Sequence, residues 1–304
     1  MEFVPTPEEI ERAKQDIKDT FLYVPDGAGG VKPMTFAVRA NTDVGYRENN
    51  VAINIKRKLP RFLQRTDLMQ LRGEPIAIVG GGPSVKDYLP KIQEFKWIMA
   101  AGSCHDYLIE NGIIPTFAVS TDSKEETNDY YRRLNLDTQY LIASTSPPSL
   151  FDRLWLHEGL EQQGCKTWLW HFFEQVDPEH YQGEQACGWG CMVGVVCIQI
   201  ALWLGFQEHH YFGYDCSIER DHTHAYEVAD WEKKHIRDGV TEAEVGDEKT
   251  RHLTTTAFIA QCTHFLGIYR SPDGNYLNGT VYGKGLLWDV IRQTPGIEPW
   301  LKAA

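Results

Sequence analysis

Residues 75 to 86, Pro-Ile-Ala-Ile-Val-Gly-Gly-Gly-Pro-Ser-Val-Lys, constrain this chain more than any other stretch. Pro75 to Val79 is a short apolar run carrying β-branched Ile76, Ile78 and Val79, the pattern of a strand buried on both faces in a parallel sheet. It breaks into Gly80, Gly81 and Gly82, and the pattern through Leu89 and Ile92 then turns helical. Three glycines permit a tight turn and a close backbone approach, and Pro83 suits a first helical position because its missing N–H costs nothing there. Strand, glycine turn and helix start together predict an anion cradle, since free N–H groups and the helix dipole both favour phosphate. The spacing is neither the G-x-G-x-x-G of a dinucleotide fold nor the Gly-Lys-Ser/Thr ending of a P-loop. A turn that serves only strand-to-helix geometry is the alternative reading of the same glycines.

The alternation continues beyond this point. Residues 97–101, 116–120, 140–144, 167–170 and 210–213 read as strands, with helical patterns between them near 105–110 and through the apolar block 191–206. That order predicts an α/β fold, a Rossmann-like doubly wound and mostly parallel sheet whose ligands sit where strands end. Residues 1–70 read as a helical N-terminal extension, and residues 71–304 as the nucleotide-binding α/β domain. Within the extension, Thr6-Pro7-Glu8-Glu9 fits a capping box and predicts a helix from 7 to 20. Pro25 to Gly30 reads as loop, and a second helical segment is expected from 50 to 65, interrupted near Pro60.

Composition narrows the classes. A chain of 304 residues with 42% hydrophobic content can bury a sizeable core. Its formal charge of −12 argues against a globally basic nucleic-acid binder. Its one basic stretch, Lys56-Arg57-Lys58 with Arg61 and Arg65, reads first as a solvated face. Seven cysteines, an odd number without framework spacing, read as reduced thiols. Cys187, Cys191 and His180 do not complete a four-ligand zinc pattern. No run of eighteen apolar residues and no basic-then-apolar leader is visible, so the expectations are no membrane span and a cytoplasmic protein.

Polar residues recur at the predicted strand ends: Ser103 after the second strand, Asp122 after the third, Ser144 and Thr145 after the fourth, and Asp215 after the strand that follows the long helix. Asp122 reads equally as a local cap or as a carboxylate facing the glycine turn, where it would meet a ribose hydroxyl or hold Mg²⁺ against a diphosphate. His222 and His224 form a His-x-His pair, a weak metal signal. His252 precedes a helix that Thr254 to Thr256 are suited to cap, and histidine is the side chain that takes up a proton near neutral pH.

Several of these segments together carry a family resemblance. Ile78 to Ser84 resembles the Gly-x-Gly-Pro-Ser turn of the bacterial sialyltransferases that extend lipooligosaccharides. It is also similar to the turn of a related group, the flagellin motility accessory factors and the 6-hydroxymethylpterin pyrophosphokinases. Gly112-Ile113-Ile114-Pro115 with Asp122, Gly190 to Val193, Phe212 to Asp215, and His224-Ala225-Tyr226 resemble segments of these proteins in order and kind. Leu277 to Thr280 resembles the Asn-x-Thr of the pyrophosphokinase-like group. Arg251 to Thr256 is similar to the sialyltransferase segment that carries the catalytic histidine, which is His252 here. The sialyltransferase turn carries Asn where Gly81 stands, and Ser103 stands near another nucleotide-binding Asn.

The resemblance implies a nucleotide-dependent transferase, foremost a glycosyltransferase using a nucleotide-sugar donor. Gly80, Gly81, Gly82, Pro83, Ser84, Ser103, Asp122, Ser144 and Thr145 would then bind the nucleotide, and His252 and Asp215 would serve catalysis. The alternative is a Mg²⁺-dependent pyrophosphokinase with the metal on Asp122 and Asp215, and a third reading is a nucleotide-binding protein without catalysis. The acceptor is open among glycan, protein, small molecule and nucleic acid.

Overall fold

Apolar runs separated by helices can cover both of their faces only when the strands lie parallel under helical layers, and this chain takes that solution. The structure, a computed structural model, describes residues 22–25, 31–33, 43–62, 71, 73–155, 166–172, 176–188, 190, 192–220, 222–230, 233, 240–246, 248–270, 277–293 and 301–302. The helix expected over 7–20 lies outside them.

The chain enters through strands β1 (Leu22–Pro25) and β2 (Val31–Pro33) and helix α1 (Val44–Asn54). The helix begins six residues earlier than the hydrophobic pattern predicts, because Asp43 caps it by accepting from the Tyr46 N–H at 2.8 Å. It stops at Asn54, short of Pro60. Asn50 and Asn54 are buried, and their amides donate to the carbonyls of Ser123, Ser144, Thr145 and Ser146. This part of the N-terminal stretch is therefore stitched to the main sheet. Two of the basic residues that follow are engaged within the chain: Arg57 pairs with Asp152 at 2.7 Å and Arg61 with Glu184 at 2.6 Å.

The main sheet is built from β3 (Pro75–Val79), β4 (Ile98–Ala101), β5 (Phe117–Ser120), β6 (Gln139–Ala143), β7 (Lys166–Trp170), β8 (Glu208–Phe212), β11 (Asn278–Tyr282) and β12 (Leu301–Lys302). The order across it is β12-β11-β8-β3-β4-β5-β6-β7, and each neighbouring pair is parallel. Alternate residues of β3 serve opposite layers, as the two-residue period requires. Ile76 and Ile78 join the core beneath the long helix, while Ala77 and Val79 pack with Val85, Cys104 and Leu108 on the other face. The helices α2 (Leu89–Ile92), α3 (Cys104–Glu110), α4 (Pro148–Trp155), α5 (Val193–Trp203), α6 (Thr256–Arg270) and α7 (Leu286–Arg292) complete the layers. Among the described residues, no helix is long and apolar enough to cross a membrane.

A second sheet was not legible in the pattern. Strands β9 (Val240–Val245) and β10 (Thr250–Thr255) pair antiparallel, and β1 and β2 extend them in the order β10-β9-β1-β2. His252 thus lies on a strand, opposite Ala243, immediately ahead of α6. Thr255 does cap that helix, accepting from the Phe258 N–H at 3.1 Å.

Candidate functional site

Successive strands from β3 to β7 step to one side of the sheet, and α5 then returns the chain to β8 on the other side of β3. The winding therefore reverses between β3 and β8, and open α/β sheets hold ligands outside strand ends at such a reversal. The glycine turn lies here, and its glycines are required by the neighbouring turn. The Gly80 N–H donates to the Phe212 carbonyl and the Gly82 N–H to the Gly213 carbonyl, both at 2.8 Å. A Cβ on Gly82 would stand 2.5 Å from both the Gly213 oxygen and Asp215 Oδ2. The close approach that Gly80 and Gly82 permit is made to another stretch of backbone, whereas Gly81 makes room for the side chains of His224 and Tyr226.

The anion of the cradle is also the protein's own. Asp215 is buried, and it accepts from the Ser84 N–H at 2.7 Å and from the Ser84 hydroxyl at 2.5 Å. Burial raises its pKa, against the lowering influence of Ser84 and Lys284. The helical turn that starts at Pro83 is a six-residue 3₁₀ segment, Pro83–Tyr88, so its dipole is short.

Beside the turn lies a first cavity of about 130 Å³. Gly80, Gly81, Gly82, Ser103 and Asp122 line it, as do the start of α5 and Gln261 of α6. A strap, Thr223 to Tyr226, crosses its mouth. The Ala225 N–H donates to the Gly81 carbonyl at 3.0 Å, and the Tyr226 and Ser103 hydroxyls are 2.8 Å apart. His224 of the strap lines the cavity, and burial lowers its pKa to about 4, so its ring is neutral at pH 7.

The predicted site residues divide between places. Pro83 and Asp215 line a second cavity of about 400 Å³, together with His252, Lys284, Trp288 and Asp289. His252 Nε2 is 2.7 Å from Asp289 Oδ2, and each side chain is 14% exposed. Cys216 faces the first cavity, whereas Asp215 and Ser217 face the second, so consecutive residues of one segment wall off two spaces. Ser144 and Thr145 line neither. Both are fully buried, and the Ser144 hydroxyl meets His171 Nδ1 at 2.9 Å. His171 in turn meets Glu184 at 3.0 Å, which makes Ser144 part of a core polar network.

Sequence reasoning missed Gln261 and the strap's cover of Gly81. A lone glutamine in a helix emits no motif, and the segment His224-Ala225-Tyr226 does not itself signal that it lies over Gly81. The family model for 6-hydroxymethylpterin diphosphokinase MptE-like proteins matches residues 49–221, more than half of the chain. The chain belongs to this MptE-like family. Its match begins within α1, consistent with the stitching of Asn50 and Asn54 to the main sheet. Among solved structures, this MptE-like chain is similar to the MAf glycosyltransferase from Magnetospirillum magneticum AMB-1, with a TM-score of 0.56 and 17% identity. The alignment covers 80% of this chain and 37% of that one, so the chain spans little more than a third of that protein's length. At this identity the likeness establishes the fold. A mammalian sialyltransferase, solved in complex with Gal-beta-1-3GalNAc-ortho-nitrophenol, aligns with a TM-score of 0.35 and 14% identity over 65% of this chain and 82% of that one. No curated protein matches the MptE-like sequence.

Proposed function

We propose that this chain is a nucleotide-dependent transferase that moves a sugar from a nucleotide donor to an acceptor hydroxyl. The observation that carries the reading is the cavity at the switch point, where strand ends, a helix start and the residues Ser103 and Asp122 converge. Ser103 and Asp122 would meet the nucleoside. The cavity's volume of about 130 Å³ is below the roughly 300–1,000 Å³ of ligand pockets, so a nucleoside enters with the strap displaced.

In the transfer, the acceptor oxygen bonds to the sugar carbon as the bond from that carbon to the donor phosphate breaks. The acceptor's proton goes to a base. His252 is assigned that role, with Asp289 holding Nε2–H and leaving Nδ1 to receive the proton. The acceptor, whether glycan, protein, small molecule or nucleic acid, would then approach through the second cavity, which requires the donor's sugar to reach past the Asp215–Ser217 segment that separates it from the first. A thermal-shift screen over nucleotides and nucleotide sugars identifies the donor, because a ligand of the folded state raises the melting temperature. With that donor, His252→Ala is expected to lower turnover by about 100-fold or more while leaving donor binding intact. Unchanged turnover would remove His252 from the mechanism.

Membership of the MptE-like family favours a second reading, a diphosphokinase acting on 6-hydroxymethylpterin. A shared Mg²⁺ on Asp122 and Asp215 does not fit this chain. Asp215 commits both oxygens to Ser84, and the two carboxylates line different cavities, so no step is drawn through a metal. ATP with 6-hydroxymethylpterin, assayed with Mg²⁺ and again with EDTA, decides this reading: metal-dependent AMP release favours the kinase. Nucleotide binding with no turnover of any donor would instead favour a binding protein.

A further inference from the structure

The turn after β3 commits its Ser84 donors to Asp215 and its Gly80 and Gly82 N–H groups to the neighbouring turn, which points to other donors on the cavity wall for a phosphate seat. The first turn of α5 is such a place. This helix of 11 residues begins after Met192 without a side-chain cap, and Met192, Val193 and Gly194 line the first cavity. The first intrahelical donors are Val195 and Val196, which reach the Met192 carbonyl at 3.1 and 3.3 Å. The N–H groups of Val193 and Gly194 precede them and have no partner within the helix.

The second observation is Gln261. It is 8% exposed, it lines the same cavity, and its side-chain amide meets no hydrogen-bond partner among the described residues. Its amide is thus left to meet whatever occupies the cavity rather than another group of the chain. It stands at the helix start: a Cβ on Gly194 would lie 3.0 Å from Gln261 Nε2. The absence of a side chain at Gly194 therefore keeps two backbone donors, one amide donor and the positive end of the α5 dipole around one open space.

We infer that α5's bare first turn and Gln261 seat a phosphate of the nucleotide, with Gln261 as a phosphate-specificity residue. This rests on the transferase reading in taking the ligand to be a nucleotide. The glycine turn then shapes the cavity while α5 carries the charge recognition.

The test is titration calorimetry on the full chain with CMP, UMP, AMP and GMP, the four corresponding nucleosides, and inorganic pyrophosphate. In the wild type, a nucleoside monophosphate is expected to bind more tightly than its nucleoside. Gln261→Glu puts a carboxylate at the seat and is expected to weaken nucleotide binding at least tenfold, about 1.4 kcal/mol, while leaving nucleoside binding unchanged. Gln261→Met keeps the volume without the donor, is expected to lose the same preference, and carries the test if the glutamate variant does not fold. If both variants retain the wild-type preference, the seat is elsewhere and the transferase reading stands. If pyrophosphate binds in a Gln261-dependent way and no nucleotide does, the seat stands and the nucleotide reading falls. Failure of every probe to bind the wild type overturns both.

Discussion

Two helix starts face each other across the switch point, and they differ in what satisfies them. The one after β3 follows three glycines and a proline, and its Ser84 donors are held by Asp215 from the opposite turn. The one at α5 follows Met192 with no side-chain cap and opens on the cavity. The first has the sequence signature of an anion site and holds an anion of its own chain. The second has no comparable signature and keeps its donors open. A glycine-rich turn next to a strand is therefore compatible with two functions, packing against a neighbouring turn or admitting a ligand. What distinguishes them is which atoms a Cβ would strike.

The contrast breaks most decisively at Gly213. Its φ of +67° is left-handed, and a Cβ there would stand 2.5 Å from the Gly80 carbonyl oxygen. Left-handed backbone costs a side-chain-bearing residue about 1 to 2 kcal/mol, and forcing a methyl into a filled contact adds about 1 to 3 kcal/mol. Gly213→Ala is therefore expected to lose about 4 kcal/mol of stability, read as a lower urea midpoint with an unchanged slope. A wild-type midpoint would show that the two turns are not locked together. Next comes Asp215. Its replacement by Ala strands two buried Ser84 donors and is expected to cost about 3 kcal/mol with no nucleotide present, whereas Asn preserves an acceptor and costs about 1 kcal/mol.

Asp215 also sets a pH dependence whose sign follows from its burial. The raised pKa means that the folded chain binds this proton more tightly than the unfolded chain, where the ordinary value is 3.8. The carboxyl's contribution to stability is full below pH 3.8 and is lost as pH climbs through the raised value. Asp215→Asn cannot ionise, so its curve of unfolding free energy against pH should lack that descent. A curve parallel to the wild type would refute the assignment.

These contrasts explain what was legible from residues alone. The apolar runs at Ile76–Val79 and Tyr140–Ile142, with the apolar block that became α5, announced a parallel sheet because both of its faces must be apolar. The antiparallel sheet of β9, β10, β1 and β2 stayed hidden, since Thr-Glu-Ala-Glu-Val and Thr-Arg-His-Leu-Thr-Thr carry polar side chains and the first of them pairs with a segment more than two hundred residues away. Ser103 and Asp122 could be placed near the site because strand ends gather at one edge. Ser144 and Thr145 follow the same rule, yet Asn50 and Asn54 close over that strand end and leave it no cavity. Partnership is a tertiary property, and so neither Asp215's hold on Ser84 nor Gln261's lack of a partner could be read from spacing.

The smallest stability effect gives the finest test of the contrast. Gly194 lies in the first turn of α5 with ordinary helical backbone, and an added Cβ would meet Gln261 Nε2 at 3.0 Å and Tyr214 Cε1 at 3.2 Å. The glutamine amide is the free end of a flexible chain and can yield, whereas Tyr214 is held by its hydroxyl's 2.8 Å bond to the Gly194 carbonyl. Alanine gains up to about 1 kcal/mol over glycine in a helix, which offsets crowding of similar size, so Gly194→Ala should melt within a few degrees of the wild type. Its methyl would nonetheless project over the two open N–H groups, and nucleotide binding should weaken severalfold with nucleoside binding preserved. One alanine at Gly213 then destabilises the protein by striking the Gly80 turn, and another at Gly194 fills the seat with little effect on stability. If Gly194→Ala binds nucleotide as the wild type does, the open helix start is only an uncapped end, and the difference between the two turns carries no functional meaning.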